Sequence, residues 1–223
     1  MKTFAQFLIC ASLLASPAIA GPTTAERKSQ FEKAMNLIIA TISPRMSERV
    51  REGVVHDYVE SEPNKGQAIE PVSGGAWRSS RHEDLDAASD RTLEGCQLRY
   101  GKPCGLLALN GDIAAEGELK TRDMPRVHYD GEFDLAKIPI IRPAVRARAD
   151  VQGYFGVTAP KAIAIHPWGT LFVSTGKPSP RDAQDAALAA CNADPGRNFK
   201  DGNCFVYAVG NQVVISERRQ LGK

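Results

Sequence analysis

The sequence repeats itself at an offset of about 95 residues. Cys96 and Cys191 are related by this offset, and so are Trp77 and Phe172. The other matches keep the same order along the chain: Ser79 with Ser174, Ala88 with Ala183, Leu93 with Leu188, 68–71 with 164–167 at an offset of 96, and Cys104 with Cys204 at an offset of 100. Ordered matches whose offsets change only in loops are typical of a duplicated structural unit. The sequence therefore predicts two copies of one small fold.

The second copy, residues 161–219, has the pattern strand, strand, helix, strand, strand. Lys161–His166 and Leu171–Ser174 are rich in β-branched and aromatic residues and flank a Pro-Trp-Gly turn. Ser179, followed by proline, is typical of a helix start. Two more apolar runs flank Gly210-Asn211, which predicts a hairpin.

The first copy, residues 65–117, follows the same pattern. Asp84 is the expected N-cap of a helix that runs to about Cys96. Asn110-Gly111 between apolar runs favours a type I′ hairpin turn. The two leading strands are less clear, because Ser73-Gly74-Gly75 stands where the second copy is more apolar. The predicted fold class is α+β, with two tandem strand-strand-helix-strand-strand units.

The cysteines predict one disulfide in each copy. Cys10 lies in the predicted signal peptide, which leaves Cys96, Cys104, Cys191 and Cys204. Four cysteines allow three pairings, and the duplication favours the local ones, 96 with 104 and 191 with 204. Neither pair has the short spacing of a zinc site, so we expect no metal, and nothing in the sequence indicates a cofactor.

The first 20 residues are typical of a secretory signal peptide. Lys2 precedes the apolar run Phe4–Ala15, and Ala18-Ile19-Ala20 provides small residues before a cut at Gly21. The apolar run is shorter than the roughly 20 residues that span a bilayer, and no later segment is long and apolar enough. We expect an exported protein, periplasmic or secreted, in a compartment that favours disulfides.

Two further segments flank the copies. Residues 21–60 are predicted to be helical: an apolar stripe from Phe31 to Ile42 ends at Ser43-Pro44, and Pro44 is expected to start a second helix through about Val55. Residues 118–160 are charged and contain several prolines, and they are predicted to form an ordered connector laid across the two units.

The second copy resembles a small disulfide-containing domain of unknown function found in exported bacterial proteins. The resemblance lies in Ala162-Ile163-Ala164-Ile165, Ser174-Thr175-Gly176, Ala183–Cys191 and Cys204. It covers the last third of the chain, and residues 68–113 more loosely. It implies export and an α+β unit, and it carries over no catalytic residues.

Known catalytic patterns are missing from the sequence. It has no G-x-S-x-G nucleophile elbow, no H-E-x-x-H helix and no complete phosphate-binding loop. The formal charge of +2, or +1 without Lys2, does not favour nucleic acid as a partner. His128 with Asp130, or His166, would be the residues of an unrecognised envelope hydrolase, if the fold brings them into one cleft.

The candidate binding residues are those that the repeat does not require. Trp168 matches Ser73 of the first copy, so we expect an exposed aromatic beside His166 that contacts a partner or a sugar ring. The alternative is that Trp168 folds over the edge of its own sheet. Arg142, Arg146 and Arg148 can form a basic face toward an acidic partner or an anionic envelope polymer.

These observations predict an exported, non-enzymatic binding or interaction protein of the cell envelope. Its partner would be a protein or an envelope polymer that the sequence does not identify. The alternatives are the envelope hydrolase above and a secreted enzyme inhibitor, for which stapled loops and an exposed Trp168 would be suitable.

Overall fold

The computed structural model describes residues 24–115, 119–197 and 202–215. The predicted signal peptide at 1–20 and the last residues of the two predicted copies, 116–117 and 216–219, lie outside the described residues. The α-helices are α1 (Thr24–Ile42), α2 (Glu48–Val59), α3 (Leu85–Tyr100), α4 (Pro143–Arg146), α5 (Ala149–Gln152) and α6 (Pro180–Asn192). The strands are β1 (Gly66–Glu70), β2 (Gly75–Ser79), β3 (Cys104–Leu109), β4 (Asp112–Ile113), β5 (Thr121–Arg122), β6 (Ala162–Ile165), β7 (Leu171–Ser174), β8 (Phe205–Val209) and β9 (Gln212–Val213).

The strands form two antiparallel sheets, so the chain is α+β as predicted. The first sheet has the order β2-β1-β3-β4, with β5 also paired to β3, and the second has the order β7-β6-β8-β9. Helix α3 connects β2 to β3, and α6 connects β7 to β8. We call β1–β4 with α3 (residues 66–113) the first unit and β6–β9 with α6 (residues 162–213) the second unit.

The two sheets share their strand register, including its irregularity. In the first unit Ala68 pairs with Trp77, and the pairing of β1 with β3 shifts between Gln67 and Ala68. In the second unit Ala164 pairs with Phe172, and the pairing of β6 with β8 shifts just before Ala164. The bulge therefore occurs at equivalent places in the two sheets.

Local signals set the ends of the helices. The predicted N-caps are confirmed: the side chain of Asp84 accepts a hydrogen bond from the Ala87 N–H, and Ser179 accepts one from the Asp182 N–H. Helix α3 continues past Cys96 to Tyr100, where Gly101 ends it in the left-handed conformation.

Helix α2 differs from its prediction. It begins at Glu48, after an extended Ser47, and not at Pro44. The Ser43 N–H still bonds to Ile39 O, and the Met46 N–H bonds to Ser43 O. A turn therefore occupies the residues around Pro44 and delays the second helix.

Both local disulfides form, as predicted. Cys96 bonds to Cys104 across 8 residues, and Cys191 bonds to Cys204 across 13. Each bond joins the last turns of a helix to the start of the strand that follows, so each unit has its own covalent link between helix and sheet.

The elements stack in layers. Helices α1 and α2 pack on one face of the first sheet, and α3 covers its other face. Residues of the 119–160 segment then fill the space between α3 and the second sheet, and α6 covers the far face of that sheet. The central core cluster contains residues from all three regions: Trp77, Leu93, Ile138, Ile141, Tyr154, Ile163, Ile165 and Tyr207. No helix of the described ranges has the length and apolar character needed to cross a membrane.

The same lysine–tyrosine corner precedes both sheets. Lys65 Nζ lies 5.0 Å from the ring centre of Tyr58 and 2.8 Å from its carbonyl oxygen. Lys161 Nζ lies 4.7 Å from the ring centre of Tyr154 and 2.7 Å from its carbonyl oxygen. Each lysine therefore binds the C-terminal end of the helical turn before its own sheet, at an offset of 96. The likeness of the two halves thus begins upstream of the strands.

Candidate functional site

A cleft of about 380 Å³ opens where the different parts of the chain meet. Its walls come from the end of α2, the loop after β2, helix α3, the 119–160 segment and the turn between β6 and β7. The residues that line it are Glu60, Ser61, Glu62, Ser79, Ser80, Arg81, His82, Arg91, Ile140, Arg142, Pro167 and Trp168. Because both units and the intervening segment contribute, the cleft exists only in the assembled fold.

Gly95 of α3 lets the second unit approach the first. A Cβ at Gly95 would overlap the Trp77 side chain at Nε1 and lie 3.1 Å from Pro167 O. With no side chain there, Trp77 lies over the helix, and the ring centre of Trp168 comes within 4.7 Å of that of Trp77. One wall of the cleft therefore depends on this glycine.

A chain of polar side chains leads from the core to the cleft. Thr92 Oγ1 is 2.6 Å from Ser79 Oγ, and Ser79 Oγ is 2.8 Å from His82 Nε2. On the other side of the imidazole, Arg91 Nη1 is 3.4 Å from Nδ1. Arg91 also forms an ion pair of 2.6 Å with Glu83.

The second unit does not have this polar chain. At the matching positions it has Ala186 for Arg91, Ala187 for Thr92 and Lys177 for His82. The common fold therefore does not require the polar chain, which makes it a candidate for function.

The contacts of His82 determine its protonation. Burial, followed by the charges of Arg91 and Arg142, lowers the pKa of His82 to about 4, so the ring is neutral near pH 7. Arginine can only donate, so Nδ1 is the acceptor and the Nε2–H donates to Ser79. Because Nε2 carries the proton, the imidazole cannot take the proton of the Ser79 hydroxyl. The distance between the two groups would otherwise suit a nucleophile and its base.

Glu94 of α3 binds the backbone of Ile140, one of the residues that line the cleft. Its side chain is fully buried, with Oε1 2.5 Å from Arg126 Nε, and Oε2 accepts a hydrogen bond of 2.6 Å from the Ile140 N–H. Burial raises the pKa of Glu94 in spite of Arg126.

Two residues that line the cleft, Ile140 and Arg81, have left-handed φ angles of 57° and 63°. A β-branched residue in this region is rare and strained. Residues held in this way occur often at functional sites. The backbone of the cleft is therefore fixed by contacts around it and not by local preference.

Two of the predicted binding residues meet in this cleft. Arg142 Nη2 donates a hydrogen bond of 3.0 Å to Ser80 O, and the guanidinium lies close enough to His82 to lower its pKa. Trp168 lines the same cleft but is only partly exposed, because it packs against Trp77 of the other unit. Trp168 thus makes a contact between the two units, and it also packs against the core cluster that contains Ile163 and Ile165 of its own sheet.

The other three predicted binding residues lie outside the cleft. His166 is fully buried: its Nδ1 accepts from the Trp168 N–H, and its Nε2 lies 3.2 Å from Gly202 O. Arg146 turns inward and donates to Leu135 O and Ile138 O, so burial lowers its pKa.

Arg148 forms an ion pair of 2.5 Å with Asp150 and donates to Leu171 O. Arg142, Arg146 and Arg148 thus have different partners: the Ser80 carbonyl, two carbonyls of the 119–160 segment, and Asp150 with the Leu171 carbonyl.

His128 and Asp130, the residues of the alternative hydrolase hypothesis, lie away from the cleft. His128 is exposed, with Nε2 3.7 Å from Asp123 Oδ1. The carbonyl of Asp130 accepts from the Gln212 side chain beside β9. Neither His128 nor Asp130 lines the cleft. The described residues also contain no group of three or more His, Cys, Asp or Glu side chains arranged to hold a metal ion.

The sequence reading missed His82, Arg91 and Glu94. Their signal was present in the sequence, since each differs in chemistry from its counterpart 95 residues later: Lys177, Ala186 and Ala189. Arg91 and Glu94 differ from their counterparts within the two helices, and His82 differs from Lys177 in the segments that precede them.

No protein-family model matches the chain, and no curated protein or solved structure matches it. The resemblance to a small disulfide-containing exported domain therefore stays a prediction.

Proposed function

We propose that this protein is an exported, non-enzymatic binding protein of the cell envelope, and that the cleft between its two units binds an acidic carbohydrate. Export is supported by the signal-like pattern of residues 1–20 and by the two disulfides, which are typical of oxidising compartments. The periplasm or the exterior of the cell follows as its location.

We also propose that the two units are copies of one ancestral unit. The shared strand order, the bulge at equivalent positions, the paired N-caps and the two local disulfides support this. The corners at Lys65 and Lys161 extend each copy upstream, to Tyr58 and Tyr154. The copies would then include parts of the segments 21–60 and 118–160, which the sequence pattern assigned to separate regions.

The combination of Trp168 and Arg142 in one cleft supports the carbohydrate ligand. An aromatic ring provides an apolar surface for the face of a sugar ring. Arg142 forms no ion pair with any described residue and keeps N–H donors beyond the bond to Ser80, so it can bind a carboxylate. Glu60 and Glu62 at the rim can accept hydrogen bonds from sugar hydroxyls.

Intrinsic fluorescence tests the proposal directly, because the only two tryptophans of the chain are Trp77 and Trp168, which pack together at the cleft. The purified mature protein is titrated with galacturonic acid and, separately, with galactose. We expect galacturonic acid to change the fluorescence with at least tenfold higher affinity than galactose.

Two variants locate the binding. Arg142→Gln should remove the preference for the acidic sugar, whereas Arg148→Gln removes the same charge outside the cleft and should leave the preference intact. Equal affinity for the two sugars, or a preference that survives in Arg142→Gln, would contradict the proposed function.

A further inference from the structure

A second, smaller pocket lies next to the cleft. It has a volume of about 210 Å³ and is lined by Ala87 and Asp90 of α3, by Ile141 and Pro143, and by three arginines, Arg91, Arg126 and Arg146. The cleft and this pocket have Arg91 in common. The two cavities are therefore neighbours along one surface of α3.

The backbone of residues 140–143 runs between the two cavities. Ile140 and Arg142 line the cleft, and the alternate residues Ile141 and Pro143 line the pocket. A ligand that crosses this short segment can occupy both cavities without any change in the fold.

The pocket has one arginine more than the described carboxylates around it pair with. Arg91 is paired with Glu83, Arg126 with the fully buried Glu94, and Asp90 with Arg122 at 2.7 Å. Arg146 forms no ion pair among the described residues and instead donates to two carbonyls. The second cavity thus offers a positive site beside the first.

We propose that the cleft and this pocket are adjacent subsites for one linear acidic polysaccharide, whose charged groups recur along the chain. This inference rests on the proposed function, because the cleft provides its first subsite. Trp168 in the cleft favours a glycan over an acidic peptide, because its ring can pack on the face of a sugar ring beside the cation of Arg142. Glu60 and Glu62 at the rim are paired with Lys28 and Arg81, which reduces their repulsion of an acidic ligand. A polymer bound at two linked sites gains affinity beyond that of a single residue.

The dependence of affinity on ligand length tests the inference. The probes are galacturonic acid and its linear oligomers of two to six residues, with a neutral glucose hexamer as control, measured by titration calorimetry at low salt. We expect the dissociation constant of the acidic hexamer to be at least tenfold lower than that of the monomer. The neutral hexamer should not show this gain.

Ala87 allows the second pocket to be changed without damage to the helix. It is the third residue of α3 after the N-cap Asp84, a position where both Glu and Gln support helix capping. Ala87→Glu places a negative charge at the pocket, and Ala87→Gln is its neutral match. We expect Ala87→Glu to lose the gain of the hexamer while binding the monomer as before, and Ala87→Gln to keep the gain.

The outcomes separate this inference from the proposed function. If the monomer binds through Arg142 but the hexamer binds no more tightly, or if the gain persists in Ala87→Glu, the second subsite is wrong and the cleft stands. If the monomer shows no binding that depends on Arg142, the proposed function fails first.

Discussion

The two units have one fold but very different surroundings. In α3 the whole run from Thr92 to Leu98 is buried, because the first sheet covers one side of the helix and the 119–160 segment covers the other. In α6 only Ala183, Ala187 and Cys191 are buried, and the side away from the sheet faces solvent. The same order of strands and helix therefore contains a central helix in one unit and a peripheral helix in the other.

The central position of α3 explains why polar side chains are fully buried in this helix, whereas the buried residues of α6 are Ala183, Ala187 and Cys191. Thr92, Glu94 and Gln97 are fully buried in α3, and each contacts a group outside the helix. Their counterparts in α6 are Ala187, Ala189 and Asn192. In the first unit these side chains contact the rest of the molecule, and the candidate cleft lies beside that unit.

The largest expected difference between the units concerns Glu94. Glu94→Ala should lower the free energy of unfolding by about 2–4 kcal/mol, because it leaves a cavity at a fully buried position and the Ile140 N–H without its acceptor, whereas Arg126 is 34% exposed and keeps contact with water. Urea unfolding followed by circular dichroism measures this.

The matched control places the same residue in the other helix. Ala189 is exposed on α6, so Ala189→Glu should change the free energy of unfolding by less than about 0.5 kcal/mol. If the two substitutions had effects of similar size, the contrast between a central and a peripheral helix would be wrong.

A smaller effect is expected where each helix touches its own sheet. A Cβ at Gly66 would overlap Thr92 Oγ1, whereas the second unit has Ala162 and Ala187 at these two positions, in one core cluster. Gly66→Ala alone should therefore destabilise the protein by about 1–3 kcal/mol through overpacking. The double variant Gly66→Ala/Thr92→Ala, which copies the second unit, should recover much of this loss.

The reciprocal exchange tests the same contact in the second unit. Ala187→Thr should be destabilising, and Ala162→Gly in the same chain should relieve it. Double-mutant cycles from urea unfolding give a coupling energy of about 0.5–3 kcal/mol for residues in contact. A coupling near zero in both units would show that the two helices are not packed in equivalent ways.

Local signals explain what the sequence could predict. The N-caps Asp84 and Ser179, the two hairpins and the two disulfides depend on residues close in the chain, and all of them are confirmed. The type I′ turn expected at Asn110-Gly111 is wrong, because Asn110 has a positive φ and Gly111 does not. The two leading strands of the first copy are complete, since Gly75–Ser79 pairs along its whole length with β1 in spite of the nearby glycines. Sheet pairing from neighbouring strands compensates there for weak strand preference.

Contacts between residues far apart in the chain explain what the sequence could not predict. The cleft depends on how close Pro167 and Trp168 come to Gly95, and no pattern within either copy gives that distance. His166 seemed available beside a turn, yet both of its ring nitrogens lie at backbone groups. Arg146 and Arg148 follow Arg142 closely in the chain, yet Arg146 donates to carbonyl oxygens beside a second pocket and Arg148 pairs with Asp150.

The smallest expected difference between the units is a dependence on pH that only the first unit has. The pKa of His82 is about 4 in the folded protein and about 6.5 in the unfolded chain, so the unfolded chain binds the proton first as the pH falls. Stability should therefore be complete above pH 6.5 and decline toward pH 4. At pH 5.5 the loss from this group is about 1 kcal/mol.

The effect of His82 is separated from that of the carboxylates by comparison with variants. Urea unfolding at pH 7.5 and 5.5 should show a steeper loss for the natural protein than for His82→Gln. Lys177 stands at the matching position of the second unit, and Lys177→Gln should leave the slope of the natural protein unchanged. Burial, Arg91 and Arg142 together lower this pKa. An identical slope in His82→Gln would therefore mean that the imidazole is not enclosed beside these arginines, and the arrangement of His82 in the cleft would be wrong.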